Sequence, residues 1–269
     1  MPSDTHDLIY RDRTMLNSHY DVIGSRISNE NLQSSLQRLR ANLDAKTGGY
    51  VCFANVHVVT MARCNKELRQ AINNAFMALP DGKPVALASR IEGLKAVTRV
   101  AGPDFLPFAL SSLPNTRNFF YGSTEITLNR LISKVRNDFP AIRIAGHYSP
   151  PFRASTEEEN DNIIEEIRKT ESDIIWVGLG APKQELWMAR NHQKLYPAVL
   201  LGVGAAFDFY AGTVQRAPLW VHRIGFEWLY RLHQEPRRLW KRYIVTNSQF
   251  MLLLAAKVMF GSRKKNKFN

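Results

Sequence analysis

The sequence predicts an α/β fold. It reads as a Rossmann-like, mostly parallel sheet with helices on both faces, followed by a basic helical C-terminal membrane-binding appendage. Three observations predict this. Short apolar segments at 50–54, 118–121, 142–148, 173–177 and 198–203 alternate with longer segments of helical period. Those segments lack polar alternation, as expected of strands covered on both faces. Beyond about residue 217 the alternation stops, and Trp, Tyr and Arg dominate.

Residues 1–27 show no sustained period and are expected to form an extension or edge element. Ser28 or Asn29 is expected to cap a helix carrying Leu32, Leu36, Leu39 and Leu43, with Gly48 and Gly49 ending it. The first buried strand, YVCFA at 50–54, delivers Asn55 and His57 at its end. A helical stretch to about Ala78 follows, then a Leu79-Pro80-Asp81-Gly82 turn. Pro84 suits the first turn of a short helix. A short strand is expected at 98–100. Gly102, Pro103 and Asp104 open the next helix, with the acid where the helix dipole favours it. Thr124 caps a helix to about Asp138, and Ser155 or Thr156 caps an acidic helix to about Thr170. A helix from Lys183 to about Gln193 separates the last two strands. These elements divide the chain into an extension (1–27), a Rossmann-like domain (28–212) and a basic, aromatic appendage (213–269).

In open sheets of this class, ligands lie beyond the carboxyl ends of the strands. Asn55, Asp81, Arg99, Gly122, 178–185 and 204–208 are therefore the positions to weigh. Gly178-x-Gly180 follows a strand and opens a helix, which suits an anion, but a tight strand-to-helix turn explains two glycines as well. No third glycine stands in dinucleotide spacing, which argues against a dehydrogenase. An isolated Asp-Gly is a turn signal. At a strand end, however, the Asp81 carboxylate can accept a proton from an attacking hydroxyl, with His57 as the competing base.

The chain carries 36 basic and 24 acidic residues, a net +12. Twelve of the basic residues and only two acids lie after residue 213, so nearly all the excess is local and implies a local anionic partner. Arg231, Arg237, Arg238, Lys241 and Arg242 fall within twelve residues, interleaved with Trp240 and Tyr243. A solvated basic face is the bland alternative to a convergent phosphate site. The apolar run 250–260 is too short to span a bilayer and is broken by Lys257. With Arg263, Lys264, Lys265 and Lys267 after it, the run fits a helix lying on an anionic membrane, or a core helix with a basic tail. The N-terminus has no apolar signal segment. Cys52 and Cys64 read as free thiols. No His/Cys spacing or strand-end acidic pair suggests a metal site, and neither a metal nor a cofactor is expected.

Together these motifs resemble the WecG/TagA/CpsF glycosyltransferase family. The matching residues are Asn55, LPDGKPV (79–85), RVAGPDF (99–105), VGLGAPKQELW (177–187), GVGAAFDFYAG (202–212), RAPLW (216–220) and GFEWLYRLHQEPRRLWKRY (225–243). The resemblance implies an inverting, metal-independent enzyme. Such an enzyme moves a sugar from a UDP-sugar to a polyprenyl-diphosphate-linked saccharide, peripherally on the cytoplasmic membrane face, during cell-envelope polysaccharide synthesis. It implies Asp81 as general base and Asn55 as its pocket neighbour. Arg99 and Gln184 match residues engaging diphosphate and sugar, beside Glu185. Asp208, Gly178 and Gly180 match the nucleotide side. Arg231, Arg238, Lys241 and Arg242 belong to the basic appendage that completes the site. Phe53 stands where many members carry Thr, which would put a ring beside the sugar pocket and leave the donor sugar open. The expected partners are the two substrates and an anionic membrane surface, with no nucleic acid; a homo-oligomer is compatible with the sequence. A basic, non-catalytic protein binding membranes or nucleic acid is the alternative, and it leaves the strand-end residues without a role.

Overall fold

The computed structural model describes residues 18–153, 155–218, 229–230, 232 and 236–265. A hairpin of β1 (His19–Val22) and β2 (Ser25–Ser28) leads into α1 (Leu32–Asp44) and β3 (Gly49–Ala54). Helices α2 (Val56–Cys64) and α3 (Lys66–Asn73) precede β4 (Met77–Pro80) and α4 (Lys83–Ala88). Next come α5 (Gly102–Ser112), β5 (Arg117–Gly122), α6 (Glu125–Asp138), β6 (Arg143–Tyr148), α7 (Glu157–Lys169) and β7 (Ile174–Gly178). Helix α8 (Lys183–Asn191), β8 (Val199–Gly202), α9 (Ala206–Ala211) and α10 (Pro236–Lys265) complete the described chain.

Six strands form one parallel sheet in the order β4-β3-β8-β7-β5-β6. Apart from the edge strand β6, whose RIAGHY residues are exposed or half-buried, the strands are apolar on both faces because both are covered. Phe53, Phe120, Trp176 and Leu201 pack on α1, α5, α6 and α9, while Cys52, Tyr121, Ile175 and Leu200 pack on α7 and α8. Trp176 is fully buried, and its indole N–H donates to Asn118 Oδ1 at 2.8 Å, so the core carries no stranded donor there.

Four local expectations are corrected. The helical stretch expected to reach Ala78 ends at Asn73, and Met77–Pro80 is a strand paired with β3. A four-residue apolar run has too few turns for periodicity to separate it from a continuing helix. The strand expected at 98–100 does not form. Pro80 has no N–H to reciprocate, so only the Val100 N–H to Pro80 carbonyl bond, 2.9 Å, joins them. Helix α1 is capped by Asn31 in a capping box with Ser34, because Ser28 is committed to β2 and its hydroxyl accepts the Ala78 N–H at 3.0 Å. Phe53 does not present an open ring at the sheet edge. It is buried and meets the Phe105 ring edge-on at 5.5 Å, inside the core.

The 250–260 run lies within α10 and has two different faces. Phe250 is buried in the cluster that holds Val58, Val59 and Ala62 of α2. Lys257 Nζ donates to the Asp21 carbonyl at 2.6 Å and pairs with the Asp21 and Glu92 carboxylates at 3.0 Å. The opposite face exposes Met251, Leu252, Val258 and Met259. No helix among the described residues is long and apolar enough to cross a membrane.

Candidate active site

The carboxyl ends of the six strands share one edge of the sheet. Asp81 follows β4, Asn55 follows β3, Gly202 ends β8, Gly178 ends β7 and Gly122 ends β5. Four inter-strand steps separate the Asp81 end from the Gly122 end, about 19 Å at ordinary strand spacing. In sheets of this class the ligand crevice follows this edge, which here has a β4/β3 end and a β7/β5 end, with β8 between them.

At the first end, the Asp81 N–H donates to the Ala54 carbonyl at 3.1 Å, which continues the β3–β4 register past Pro80. The side chain is partly exposed, and Gly82 (φ +118°) turns the chain into α4. Asn55 is the N-cap of α2, its Oδ1 accepting the Val58 N–H at 3.1 Å. His57 sits in the first turn of that helix. Arg99 Nη1 lies 2.7 Å from Asp104 Oδ2, and Arg216 Nη2 holds the other oxygen of the same carboxylate at 2.5 Å.

The centre is built on close backbone approach. A Cβ on Gly202 would meet Met188 Cε at 2.5 Å, and one on Gly178 would meet the Phe207 ring at 2.5 Å. Gln184 is 4 % exposed and locks this region. Its Oε1 accepts the Gly180 N–H at 3.1 Å, and its Nε2 donates to the Gly202 carbonyl at 2.6 Å and to Glu185 Oε1 at 2.9 Å. Glu185 is fully buried. Gln184 thus ties the turn after β7 to the end of β8. Glu185 also adds negative charge near Cys52, whose thiol pKa is pushed well up by burial first and by Glu185 second.

At the far end, Asp208 projects from α9 to the turn after β5. Its Oδ1 accepts from Ser123 Oγ and Thr127 Oγ1, both at 3.3 Å. The Ser123 N–H donates to the Gly178 carbonyl at 3.0 Å, and Ser123 itself has φ +60°. Beside these residues opens a cavity of about 640 Å³, lined by Tyr121, Ser123, Gly178, Lys183 and Trp187 among others. Tyr121 and Trp187 rings meet at 4.5 Å, and the Trp187 N–H donates to Asn160 Oδ1 at 2.8 Å. Burial, aided by neighbouring Tyr148, raises the Tyr121 pKa to about 12, so its hydroxyl is neutral at physiological pH. Asp81, Asn55 and Arg99 do not line this cavity.

The structure thus brings Asn55, Asp81 and Arg99 to one end of the crevice. Gln184, bonded to Glu185, ties the end of β8 to the turn after β7, where Gly178 and Gly180 lie, and Asp208 stands on the far side. Arg231 lies outside the described residues. Arg238, Lys241 and Arg242 stand on the described backbone of α10, but their side chains lie outside the description. Trp187, Asp104 and Arg216 lie within the quoted motifs but, like Ser123 and Thr127, are not given a site role by the sequence reading. A strand-end Gly-Ser-Thr could have marked Ser123, but the Asp104 bridge joins residues 112 apart and has no local signature. Among the described residues, no three His, Cys, Asp or Glu side chains gather as a metal site.

Comparisons with known proteins place the chain in a family. The model of the Glycosyl transferase WecG/TagA/CpsF family matches residues 20–264. An N-acetylglucosaminyldiphosphoundecaprenol N-acetyl-beta-D-mannosaminyltransferase of Bacillus subtilis (strain 168) is 31 % identical over 220 residues, covering 80 % of this chain and 83 % of its own. The protein of the same name from Bacillus spizizenii is 33 % identical over 205 residues, covering 75 % of this chain and 77 % of its own. With the match running from the hairpin through α10, the chain belongs to the WecG/TagA/CpsF family of glycosyltransferases.

Proposed function

We propose that this enzyme transfers an N-acetylhexosamine from a UDP-sugar to undecaprenyl-diphosphate-linked N-acetylglucosamine, with inversion and without a metal, during cell-envelope polysaccharide synthesis. The observation that carries this reading is the split crevice. A carboxylate, Asp81, stands at one end, and a nucleotide-sized cavity beside Ser123, Gly178 and Asp208 stands at the other. The uridine end of the donor lies on the cavity side, and its sugar points along β8 toward Asp81. The family relatives named above support the acceptor, and their N-acetylmannosaminyl group is the first donor sugar to try.

In the proposed reaction, Asp81 takes the proton of the acceptor hydroxyl. That oxygen bonds to the anomeric carbon from the face opposite UDP, the carbon–oxygen bond to the diphosphate breaks, and its electron pair leaves on the diphosphate. A single displacement inverts the anomeric centre. Arg99 and the basic residues of the appendage compensate the developing charge, in a site whose dipoles are already oriented.

The exposed face of α10 supports peripheral attachment to the membrane that carries the acceptor. Trp240, Met251, Leu252, Val258 and Met259 are all exposed along it. Arg263, Lys264 and Lys265 follow at its end, and each basic residue near an anionic surface adds about 1 kcal/mol. The cytoplasmic face is the side on which UDP-sugars are available.

The test is transfer from UDP-N-acetylmannosamine and UDP-N-acetylglucosamine to a prenyl-diphosphate-linked N-acetylglucosamine, with and without chelator. Asp81→Asn should keep the fold and UDP affinity and lose about 10²–10⁴ in kcat. Near-normal turnover by that variant would remove Asp81 as the base. Failure to bind UDP, together with salt-dependent binding to bulk nucleic acid, would favour the alternative binding protein.

A further inference from the structure

Two sequence motifs, RVAGPDF and RAPLW, meet in space. Asp104 and Arg99 come from the first and Arg216 from the second. Asp104 offers one oxygen to each arginine, through Arg99 Nη1 and Arg216 Nη2. The three side chains are 22 %, 34 % and 30 % exposed for Arg99, Asp104 and Arg216, so the group is partly desolvated but open. Two guanidiniums around one carboxylate leave a net charge of +1. The Arg216 Nε is buried and has no hydrogen-bond partner among the described residues.

The group is held at the crevice. The Val100 N–H to Pro80 carbonyl bond sets Arg99 beside the strand that ends in Asp81. Gly102 packs its Cα against Val203, where any Cβ would meet the Val203 carbonyl at 2.8 Å, so the α5 N-terminus carrying Asp104 is pressed on the end of β8. A carboxylate that fixes two planar forks removes their rotamer freedom before a ligand arrives, and each fork is shaped for a phosphate.

We propose that Arg216 is a second diphosphate-binding arginine, acting with Arg99, and that Asp104 is the positioning residue that holds the pair. This rests on the reading that Arg99 engages a diphosphate. The diphosphate can be that of the donor or that of the lipid-linked acceptor.

The experiment measures inorganic pyrophosphate, UDP and uridine binding by calorimetry, and the KM for a prenyl-diphosphate acceptor. The proteins are wild type, Arg216→Gln, Arg216→Lys and Asp104→Asn. Arg216→Gln should weaken pyrophosphate about tenfold or more and leave uridine unchanged. A matching loss for UDP assigns the donor, and a matching rise in acceptor KM alone assigns the acceptor. Arg216→Lys keeps a cation beside Asp104, so it should keep the melting temperature and still lose several-fold in pyrophosphate affinity. Asp104→Asn should weaken pyrophosphate while both arginines remain. Unchanged pyrophosphate affinity in the Arg216 variants overturns the proposal, as does an equal loss for pyrophosphate and uridine, which marks a purely structural tie. A wild type that binds pyrophosphate but not UDP sinks the donor reading while leaving the arginine pair standing.

Discussion

Replacing Gly122 with alanine tests the idea that the crevice floor depends on bare backbone. The Gly122 Cα faces the Gly178 peptide, and an added Cβ would lie 2.6, 2.7 and 2.9 Å from its C, O and N atoms. Those are backbone atoms, so no side chain can swing away. Its φ is +120°, a region L residues avoid, costing about 1–2 kcal/mol. Separating the two strand ends adds an overpacking cost of about 1–3 kcal/mol. The sum, about 2–5 kcal/mol, corresponds to a fall in Tm of roughly 4–10 °C for a chain of this size. Gly93→Ala is the control. Its φ is +80° but no atom lies within 4 Å of the added Cβ, so only the backbone term applies. Scanning calorimetry should therefore place Gly122→Ala well below Gly93→Ala. UDP affinity should fall only in the former, because Ser123 and Gly178 must shift. Equal melting temperatures for the two variants would falsify the close-approach account.

Three further outcomes are expected. Asn55→Ala should cost about 1 kcal/mol in chemical denaturation through loss of the α2 cap, and Asn55→Asp should restore it; loss of turnover in the Asp variant despite full stability would reveal a direct role in the reaction. Phe250→Ala should cost about 3–5 kcal/mol if α10 docks on α2 in solution, whereas no change in denaturant midpoint would mean that α10 is not held there. Glu159, bonded first by Arg153 and then by the Thr156 N–H, has its pKa lowered to about 2 from 4.5. The folded-state value is depressed, so the stabilisation is full above about pH 4.5 and is lost as pH falls toward 2. Glu159→Gln should flatten the acid limb of the stability curve in that window, and an unchanged limb would count against the capping box.

Most of the sheet is legible in the sequence because its strands are buried on both faces and bounded by Gly, Pro or a cap. The strand ending in Gly178 and the capped start of α6 at Thr124 are examples. Strand β4 is not legible, because MALP is short and its identity comes from pairing with β3. Phe53 shows a second limit. The motif places it near Asn55, but strand alternation sends its ring to Phe105, and only the packing reveals that this face is core. The Asp-Gly pair marks Asp81 as a turn residue, but that the turn closes a strand comes from the pairing of β4 with β3. The Gln184 lock and the Asp104 bridge are not legible, because their partners lie across the sheet edge.

The strand order also sets a sequence of events for a chain leaving the ribosome. β3 and β4, and β5 and β6, are native neighbours synthesised before β7 and β8, so each parallel pair is available first. The two strands that join them, β7 and β8, are made last and must insert between the finished halves. Until residue 202 has emerged, the halves share no strand, and each exposes an apolar edge. Folding should therefore be slow, with its late barrier at the insertion of β8. A chain interrupted before 199 should behave as two tethered fragments, prone to pair with the wrong partner.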